Sequence, residues 1–229
     1  MKIHGFNKLT LLDYPGHTAA VLFLGHCNFR CQFCQNSSLV LSPDQEPDLS
    51  VAEIFSFLKK RQGILEGVCI TGGEPTLSPD LPELALSLKS LGYLVKLDTN
   101  GSRPDVLKSL VAQNLIDYVA MDIKSSPKRY PFVCGYSSIS SIEESVSFLL
   151  HSSIPYEFRT TVVKELHCEE DFQAISQWIC GCRQYFLQSY KDSQGVLVPG
   201  LHSCTLQELH HYLAIVQKTI PHAQLRGVD

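Results

Sequence analysis

The sequence predicts an α/β fold, an open partial (β/α)6-type TIM barrel of mostly parallel strands in a single domain. Short apolar runs alternate with amphipathic runs along the chain, and this alternation implies parallel strands linked by helices. The apolar runs are rich in Val, Ile, Leu and Phe, as is typical of strands buried on both faces. About six such units are too few to close an eight-stranded barrel, so we expect an open one.

The elements follow in chain order. The apolar runs predict strands at Ala19–Leu24, Gly67–Thr71, Tyr93–Asp98, Tyr118–Ile123, Glu157–Val163 and Tyr185–Leu187. The amphipathic runs predict helices at Val51–Lys60, Leu81–Leu91, Asp105–Gln113, Ile142–His151, Asp171–Ile179 and Leu206–Lys218. Ser50 with Glu53 forms a capping box before the first helix, and Pro104 suits a first helical turn.

The length indicates one domain, because 229 residues suffice for a single hydrophobic core. The sequence has neither an internal repeat nor a low-complexity linker. The domain is predicted to span residues 1–229. Within it we place the central barrel at 17–200, an N-terminal segment at 1–16, and a C-terminal helix and strand at 201–229.

Composition excludes two classes of partner. Apolar residues make up 44% and charged residues 18%, and the net charge is −4 without a long basic run, so no nucleic-acid partner is expected. The opening MKIHGF lacks the apolar core of a signal peptide, and no stretch approaches the length of apolar residues that a membrane span needs. We therefore expect a cytoplasmic protein without a membrane partner.

The nine cysteines favour metal or redox chemistry. Their number is odd and no secretion signal accompanies them, which disfavours a disulfide scaffold.

Polar motifs follow the predicted strands one after another. Cys27 follows the first strand, Gly72-Gly73-Glu74-Pro75 the second, Asp98-Thr99-Asn100-Gly101 the third and Asp122-Ile123-Lys124 the fourth, while Arg159 lies within the fifth. Since the carboxyl ends of parallel strands meet at one rim, we expect these groups to gather there as an active site.

Three thiols lie within eight residues in Cys27-Asn-Phe-Arg-Cys31-Gln-Phe-Cys34. Thiolates suit iron–sulfur clusters and zinc. Three ligands on a four-iron cluster would leave one iron open to a substrate or cofactor. The alternative is a zinc ion that these cysteines bind together with His26 or His17.

Together these motifs resemble those of the radical S-adenosylmethionine (SAM) superfamily. C-x₃-C-x₂-C with an aromatic residue, here Phe33, before the last cysteine is its signature, and Gly72-Gly73-Glu74-Pro75 is similar to its second motif. The resemblance implies one [4Fe-4S] cluster held by Cys27, Cys31 and Cys34, whose open iron is chelated by SAM. It also implies that Phe33, Gly72, Gly73 and Glu74 contribute to cofactor binding.

The third and fourth strand ends resemble glycyl-radical-enzyme activating enzymes more narrowly. These enzymes carry a similar D-T-N-G, here ending in Asn100 and Gly101, and D-x-K on the next strand. The resemblance implies that Asp98, Asn100, Asp122 and Lys124 belong to the SAM site, with Lys124 meeting the SAM carboxylate.

Two further assignments concern the same rim. Asp98 and Asp122 could hold a monovalent cation beside SAM. Arg159 is assigned to SAM or partner binding, since it alternates out of an apolar strand.

The opening Gly5-Phe-Asn-Lys-Leu-Thr-Leu-Leu-Asp-Tyr-Pro-Gly16 resembles anaerobic ribonucleotide reductase activating proteins. The resemblance implies reductive cleavage of SAM and hydrogen abstraction from a glycine of a partner, expected to be anaerobic ribonucleoside-triphosphate reductase. A flavodoxin- or ferredoxin-type protein would donate the electron. No C-x₂-C-x₂-C run is present, so a single cluster is expected.

Three alternatives remain open from sequence. One is an activase of pyruvate formate-lyase or a relative, and another is a radical SAM enzyme acting on a small molecule, such as one in deazapurine synthesis. The third is not an enzyme but a zinc-stabilised binding module. The motifs describe how a radical is made and do not identify where it is delivered.

Overall fold

The computed structural model describes residues 2–193 and 195–228, and it contains eight β-strands in this range. They are β1 (Ile3–Thr10), β2 (Ala19–Leu24), β3 (Gly67–Gly72), β4 (Leu94–Thr99), β5 (Tyr118–Asp122), β6 (Tyr156–Val162), β7 (Tyr185–Ser189) and β8 (Gln224–Arg226). All six strands predicted within the barrel are present, with bounds that differ by at most two residues.

Eight α-helices connect the strands in the described residues. They are α1 (Ser37–Leu41), α2 (Val51–Lys60), α3 (Leu81–Ser90), α4 (Pro104–Ala112), α5 (Tyr130–Cys134), α6 (Ile139–His151), α7 (Glu169–Trp178) and α8 (Leu206–Gln217). The six predicted helices are confirmed, and the short α1 and α5 were not predicted. None of the helices in the described ranges combines the length and apolar character needed to cross a bilayer.

Contacts between Cα atoms divide the chain into two compact units. The first comprises residues 1–28, 38–99 and 103–119, and the second comprises 29–37, 100–102 and 120–229. The predicted bounds of one domain, with its barrel at 17–200, stay a prediction.

In the first unit, β1 pairs with β2 in antiparallel fashion, and β2–β3 and β3–β4 are parallel pairs. The strand centres are fully buried, as Val68 and Ile70 on β3 and Val95 and Leu97 on β4 show. The Ser50 hydroxyl accepts a hydrogen bond from the Glu53 amide at 3.3 Å, so α2 begins where the capping signal predicts.

In the second unit, β6–β7 and β7–β8 are parallel pairs, and α7 and α8 pack against each other. Thr205 and Glu208 form a capping box that starts α8. The C-terminal helix and strand expected within residues 201–229 are therefore present, and the strands of both units are mostly parallel.

The N-terminal strand β1 differs from the sequence expectation, which placed only an N-terminal segment, and no strand, within residues 1–16. Its central residues Asn7, Lys8 and Leu9 are exposed, and its pairing with β2 contains two irregularities. The alternation that identifies a half-buried strand is broken as a result, which is why the pattern failed to predict it.

Candidate active site

The glycine pair at the end of β3 lies directly against the chain that leaves β2. The Gly73 amide donates to the Leu24 carbonyl at 2.8 Å, and the Glu74 amide donates to the His26 carbonyl at 2.7 Å. A Cβ atom on Gly72 would lie 2.2 Å from the Leu24 carbonyl oxygen, and one on Gly73 would lie 2.0 Å from that of His26. Gly72 also has φ of +118°. Glycine is required at both positions because backbone, which cannot move aside, occupies the space of a side chain.

Glu74 links the end of β3 to the end of β4. Its side chain is buried and accepts hydrogen bonds from the Thr76 amide at 3.1 Å and from the Thr99 hydroxyl at 2.7 Å. A carboxylate can be buried without a large loss of stability only when hydrogen-bond donors surround it, as they do here. Glu74 therefore orders the strand ends at which it was predicted to bind the cofactor.

Asp98 is paired with a lysine that sequence reasoning missed. Lys96 is 1% exposed and forms a short ion pair with Asp98, and the Cys69 sulfur lies 3.7 Å from the same carboxylate. Cys69 is fully buried. The available signal was a lysine two residues before an aspartate in an otherwise apolar strand, which places both on one face.

Asn100 follows β4 and is buried. Its side-chain oxygen accepts from the Ser102 amide at 2.9 Å, which forms a local turn.

Asp122 lies between two cationic side chains in the second unit. One carboxylate oxygen accepts from Arg159 Nε at 2.9 Å and the other from Lys124 Nζ at 2.9 Å. Burial alone would raise the pKa of Asp122, but the charges of Arg159 and Lys124 outweigh it and lower the pKa to about 2. Three of the predicted site residues are thus brought together as one ion-paired group.

The backbone of Lys124 is held on both sides by aromatic side chains. Its amide donates to the Tyr130 hydroxyl at 3.0 Å, and its carbonyl lies 2.9 Å from His167 Nε2. The Val163 amide donates to Nδ1 of His167 at 3.1 Å, so the ring carries its proton on Nε2 and donates it to Lys124. Tyr130 and His167 were missed because no sequence pattern marks a residue that supports another residue's backbone.

The ammonium group of Lys124 lies 5.8 Å from the centroid of the Phe33 ring. Burial opposes the charge on Lys124, yet Asp122 and the nearby thiols of Cys31 and Cys34 together raise its pKa. The aromatic residue of the cysteine motif therefore contacts the predicted carboxylate-binding lysine.

The last two cysteines of the motif lie in an anchored turn. The Cys34 amide donates to the Cys31 carbonyl at 3.0 Å, and the Leu197 amide donates to the Cys34 carbonyl at 3.0 Å. On the other side, the Arg30 amide donates to the Cys134 carbonyl at 2.7 Å. These backbone bonds hold the thiol-bearing loop on both sides.

The thiols of Cys31 and Cys34 are of the ligand type that iron–sulfur clusters use, and their pKa values depend on burial and on Lys124. A hydrogen bond with Cys134 and burial raise the pKa of Cys31, and burial raises that of Cys34, while the charge of Lys124 lowers both. The raised pKa values favour protonated thiols, and the charge of Lys124 only partly opposes this. As thiolates, these sulfurs would be the soft ligands that iron–sulfur clusters use. Cys27 is half-buried in the first unit.

Across residues 2–193 and 195–228, no three His, Cys, Asp or Glu side chains are already arranged as a metal-binding group. The assignment of the cluster to Cys27, Cys31 and Cys34 therefore stays a prediction, supported by donor chemistry and spacing.

The predicted site residues thus form two groups. Gly72, Gly73 and Glu74 belong to the first, with Asp98. The second contains Phe33, Asn100, Asp122, Lys124 and Arg159. Each predicted cation ligand already has a cationic partner within its own unit, and the monovalent cation near Asp98 and Asp122 stays a prediction.

Replacing Lys124 with Ala is expected to weaken SAM binding about tenfold or more, because the ammonium is the group predicted to meet the SAM carboxylate. Arg159 remains beside Asp122, so we expect the free energy of unfolding to fall by only about 1–2 kcal/mol. Equilibrium dialysis with SAM and urea unfolding measure the two effects. Lys164→Ala, which removes an exposed lysine paired with Glu208, is the matched control. Unchanged SAM affinity in Lys124→Ala would show that the carboxylate contact lies elsewhere.

The chain is similar along almost its whole length to a protein of Methanocaldococcus jannaschii. That protein carries the provisional name of a glycyl-radical enzyme activating enzyme, and it is 32% identical over 99% of this chain and 96% of its own. A 7-carboxy-7-deazaguanine synthase of Neisseria meningitidis serogroup B is 35% identical over 49% of this chain and 45% of its own.

Among solved structures, Streptococcus suis SuiB bound to S-adenosylmethionine matches with a TM-score of 0.68 at 13% identity, covering 91% of this chain and 52% of SuiB. SuiB bound to its precursor peptide SuiA matches with a TM-score of 0.69 at 13% identity, over 90% of this chain and 48% of SuiB. These likenesses show the fold alone, and they confirm the predicted open α/β fold of mostly parallel strands.

The sequence model of the Radical SAM superfamily matches residues 21–179. The matched region contains the cysteine motif, the glycine pair at the end of β3 and the charged group of β5 and β6. The match to this family excludes the alternative of a zinc-stabilised binding module, since members of the family are enzymes that use a [4Fe-4S] cluster and SAM. Because the match spans well over half of the chain, this protein belongs to the radical SAM superfamily.

Proposed function

We propose that this enzyme activates a glycyl-radical enzyme. The observation that carries the proposal is the similarity to the M. jannaschii protein with the provisional name of an activating enzyme, which extends over nearly the full length of both chains. The similarity to the deazaguanine synthase extends over only about half of each chain, so it supports a common function less strongly.

Cys27, Cys31 and Cys34 would hold the [4Fe-4S] cluster, which would supply the electron for reductive cleavage of SAM and so permit hydrogen abstraction from a partner glycine. The side chains of this protein bind and orient the cofactor. In this proposal Lys124 and Arg159 would offer positive charge to its carboxylate. The family resemblance assigns its amino group to the backbone at Gly72 and Gly73. Phe33 packs on the ammonium of Lys124 and limits how it can move.

The partner we propose is anaerobic ribonucleoside-triphosphate reductase. Its support is the N-terminal segment 5–16, which resembles the opening of the activating proteins of that enzyme. The fold is compatible with a polypeptide substrate, as SuiB with its precursor peptide illustrates. A flavodoxin- or ferredoxin-type donor would supply the electron.

An anaerobic activation assay tests the function. The reconstituted enzyme, SAM and a reductant are mixed with candidate glycyl-radical enzymes, and electron paramagnetic resonance detects the protein radical. We expect a glycyl radical on the reductase, together with 5′-deoxyadenosine and methionine. The matched control is the partner's Gly→Ala variant at the radical site, which should give no radical and leave basal SAM cleavage unchanged.

A second candidate is a radical SAM enzyme that acts on a small molecule, and the partial similarity to a deazaguanine synthase favours it. The same assay separates the two. If no glycyl radical forms on any candidate partner and a small metabolite is consumed with SAM, the activating function is wrong.

A further inference from the structure

A row of five charged side chains crosses strands β5, β6 and β8, and the function proposed above uses only one end of it. In order of contact, it consists of Arg226, Glu157, Arg159, Asp122 and Lys124. Arg226 is separated from Glu157 by 69 positions in the sequence. We call these five residues the charge row.

Glu157 is the most deeply buried residue of the charge row, so its carboxylate has the largest desolvation cost. It is 0% exposed, and a buried carboxylate is destabilised unless a positive charge compensates it. Arg226 donates to its two oxygens at 2.8 and 2.9 Å, which is a bidentate pair. The guanidinium of Arg226 lies 3.6 Å from the centroid of the Phe186 ring, which restricts its plane.

Arg159 lies between two carboxylates. Its Nη1 is 4.0 Å from Glu157 Oε1, while its Nε donates to Asp122 at 2.9 Å. The closer contact directs Arg159 toward Asp122. This preference depends on Arg226, because an uncompensated Glu157 would attract Arg159 to itself.

The charges of the row do not cancel. Three cations, Arg226, Arg159 and Lys124, face the two anions Glu157 and Asp122. The row therefore carries one surplus positive charge. Without Arg226, two cations would face two anions and the surplus would vanish.

We propose that Arg226 is a positioning residue for the anionic end of the cofactor: by holding Glu157, it leaves Arg159 and Lys124 with the surplus positive charge that binds the SAM carboxylate. The inference rests on the function proposed above, in which the SAM carboxylate binds at Lys124. Arg226 lies on β8, beyond the residues 21–179 that the family comparison matches.

The test compares SAM binding by three variants of the anaerobically reconstituted enzyme, each with its unfolding temperature. Arg226→Gln removes the charge and should weaken SAM binding about tenfold. The double variant Glu157→Gln/Arg226→Gln restores one surplus positive charge and should bind SAM within about twofold of the native enzyme. Arg103→Gln, which removes an exposed arginine paired with Asp105, is the control and should bind SAM normally.

Neutralising Glu157 also removes the uncompensated buried carboxylate, so the unfolding temperature of each variant separates the two roles. Weak SAM binding by Arg226→Gln protein that is fully folded at the assay temperature is not a folding defect. Native SAM affinity in Arg226→Gln would overturn the inference, as would a double variant that binds as weakly as the single one. If Arg226→Gln fails to fold, Glu157→Gln alone decides, because it leaves three cations facing one anion. This variant should then bind SAM more tightly than the native enzyme, and unchanged or weaker binding would overturn the inference. SAM binding is measured without a partner protein, so a failure here is distinct from a failure to activate a glycyl-radical enzyme with SAM affinity intact.

Discussion

Replacing Cys31 with Ala is expected to abolish the iron–sulfur cluster and to reduce SAM cleavage at least about a thousandfold, a barrier increase of about 4 kcal/mol. The thiolate of Cys31 is one of three predicted ligands, and two thiolates in a loop cannot hold a four-iron cluster that must also bind SAM. The native enzyme should contain about four irons and four sulfides per chain, and air should bleach it because one iron lacks a protein ligand. Iron and sulfide analysis together with 5′-deoxyadenosine release measure both effects.

The control for this experiment is Cys204→Ala. Cys204 is also buried and lies in the same unit as Cys31, but it is remote in sequence from the motif. Its variant should keep the native content of iron and sulfide. Stoichiometric zinc without sulfide in an anaerobic preparation, or a full cluster in Cys31→Ala, would contradict the assignment.

Replacing Gly72 with Ala is expected to lower the free energy of unfolding by about 3–5 kcal/mol. The new Cβ would lie 2.2 Å from the Leu24 carbonyl oxygen and 2.5 Å from the Leu24 nitrogen, and these atoms belong to the central part of the first unit. The backbone at Gly72 also has φ of +118°, which an L side chain rarely adopts. The strand end that is predicted to bind the SAM amino group would shift, so SAM affinity should fall as well.

Gly92→Ala separates the clash from the backbone strain. Gly92 has φ of +85°, and a Cβ there would meet nothing within 4 Å. Its Ala variant should lose only about 1–2 kcal/mol, from the left-handed conformation alone. Urea unfolding of the two variants measures the difference, and equal losses would show that the contact between the end of β3 and Leu24 is not tight.

Most of the fold could be predicted because buried strands and amphipathic helices have distinct periods. An apolar run predicted β2 with its observed bounds, and a capping box predicted the start of α2. β1 was not predicted, because exposed residues and irregular pairing break its alternation. Short helices such as α5 carry too few residues to show a period.

Sequence analysis identified individual residues of the candidate site, but it did not predict which of them contact one another. The resemblance assigned Asp122 and Lys124 to one site, and their ion pair shows that the two side chains do lie together. The supports of Lys124 could not be predicted, since Tyr130 and His167 reach its backbone from separate helices and loops.

The sequence by itself determined the family, the cofactors and the order of the elements, because thiol spacing, glycine pairs and apolar periods are local properties. Only the tertiary structure decided which charges compensate one another. Arg159 on β6 reaches Asp122 on β5, and Arg226 on β8 reaches over Phe186 to Glu157. Such pairs depend on strand register and on the burial of each carboxylate, and both arise only when distant segments pack together.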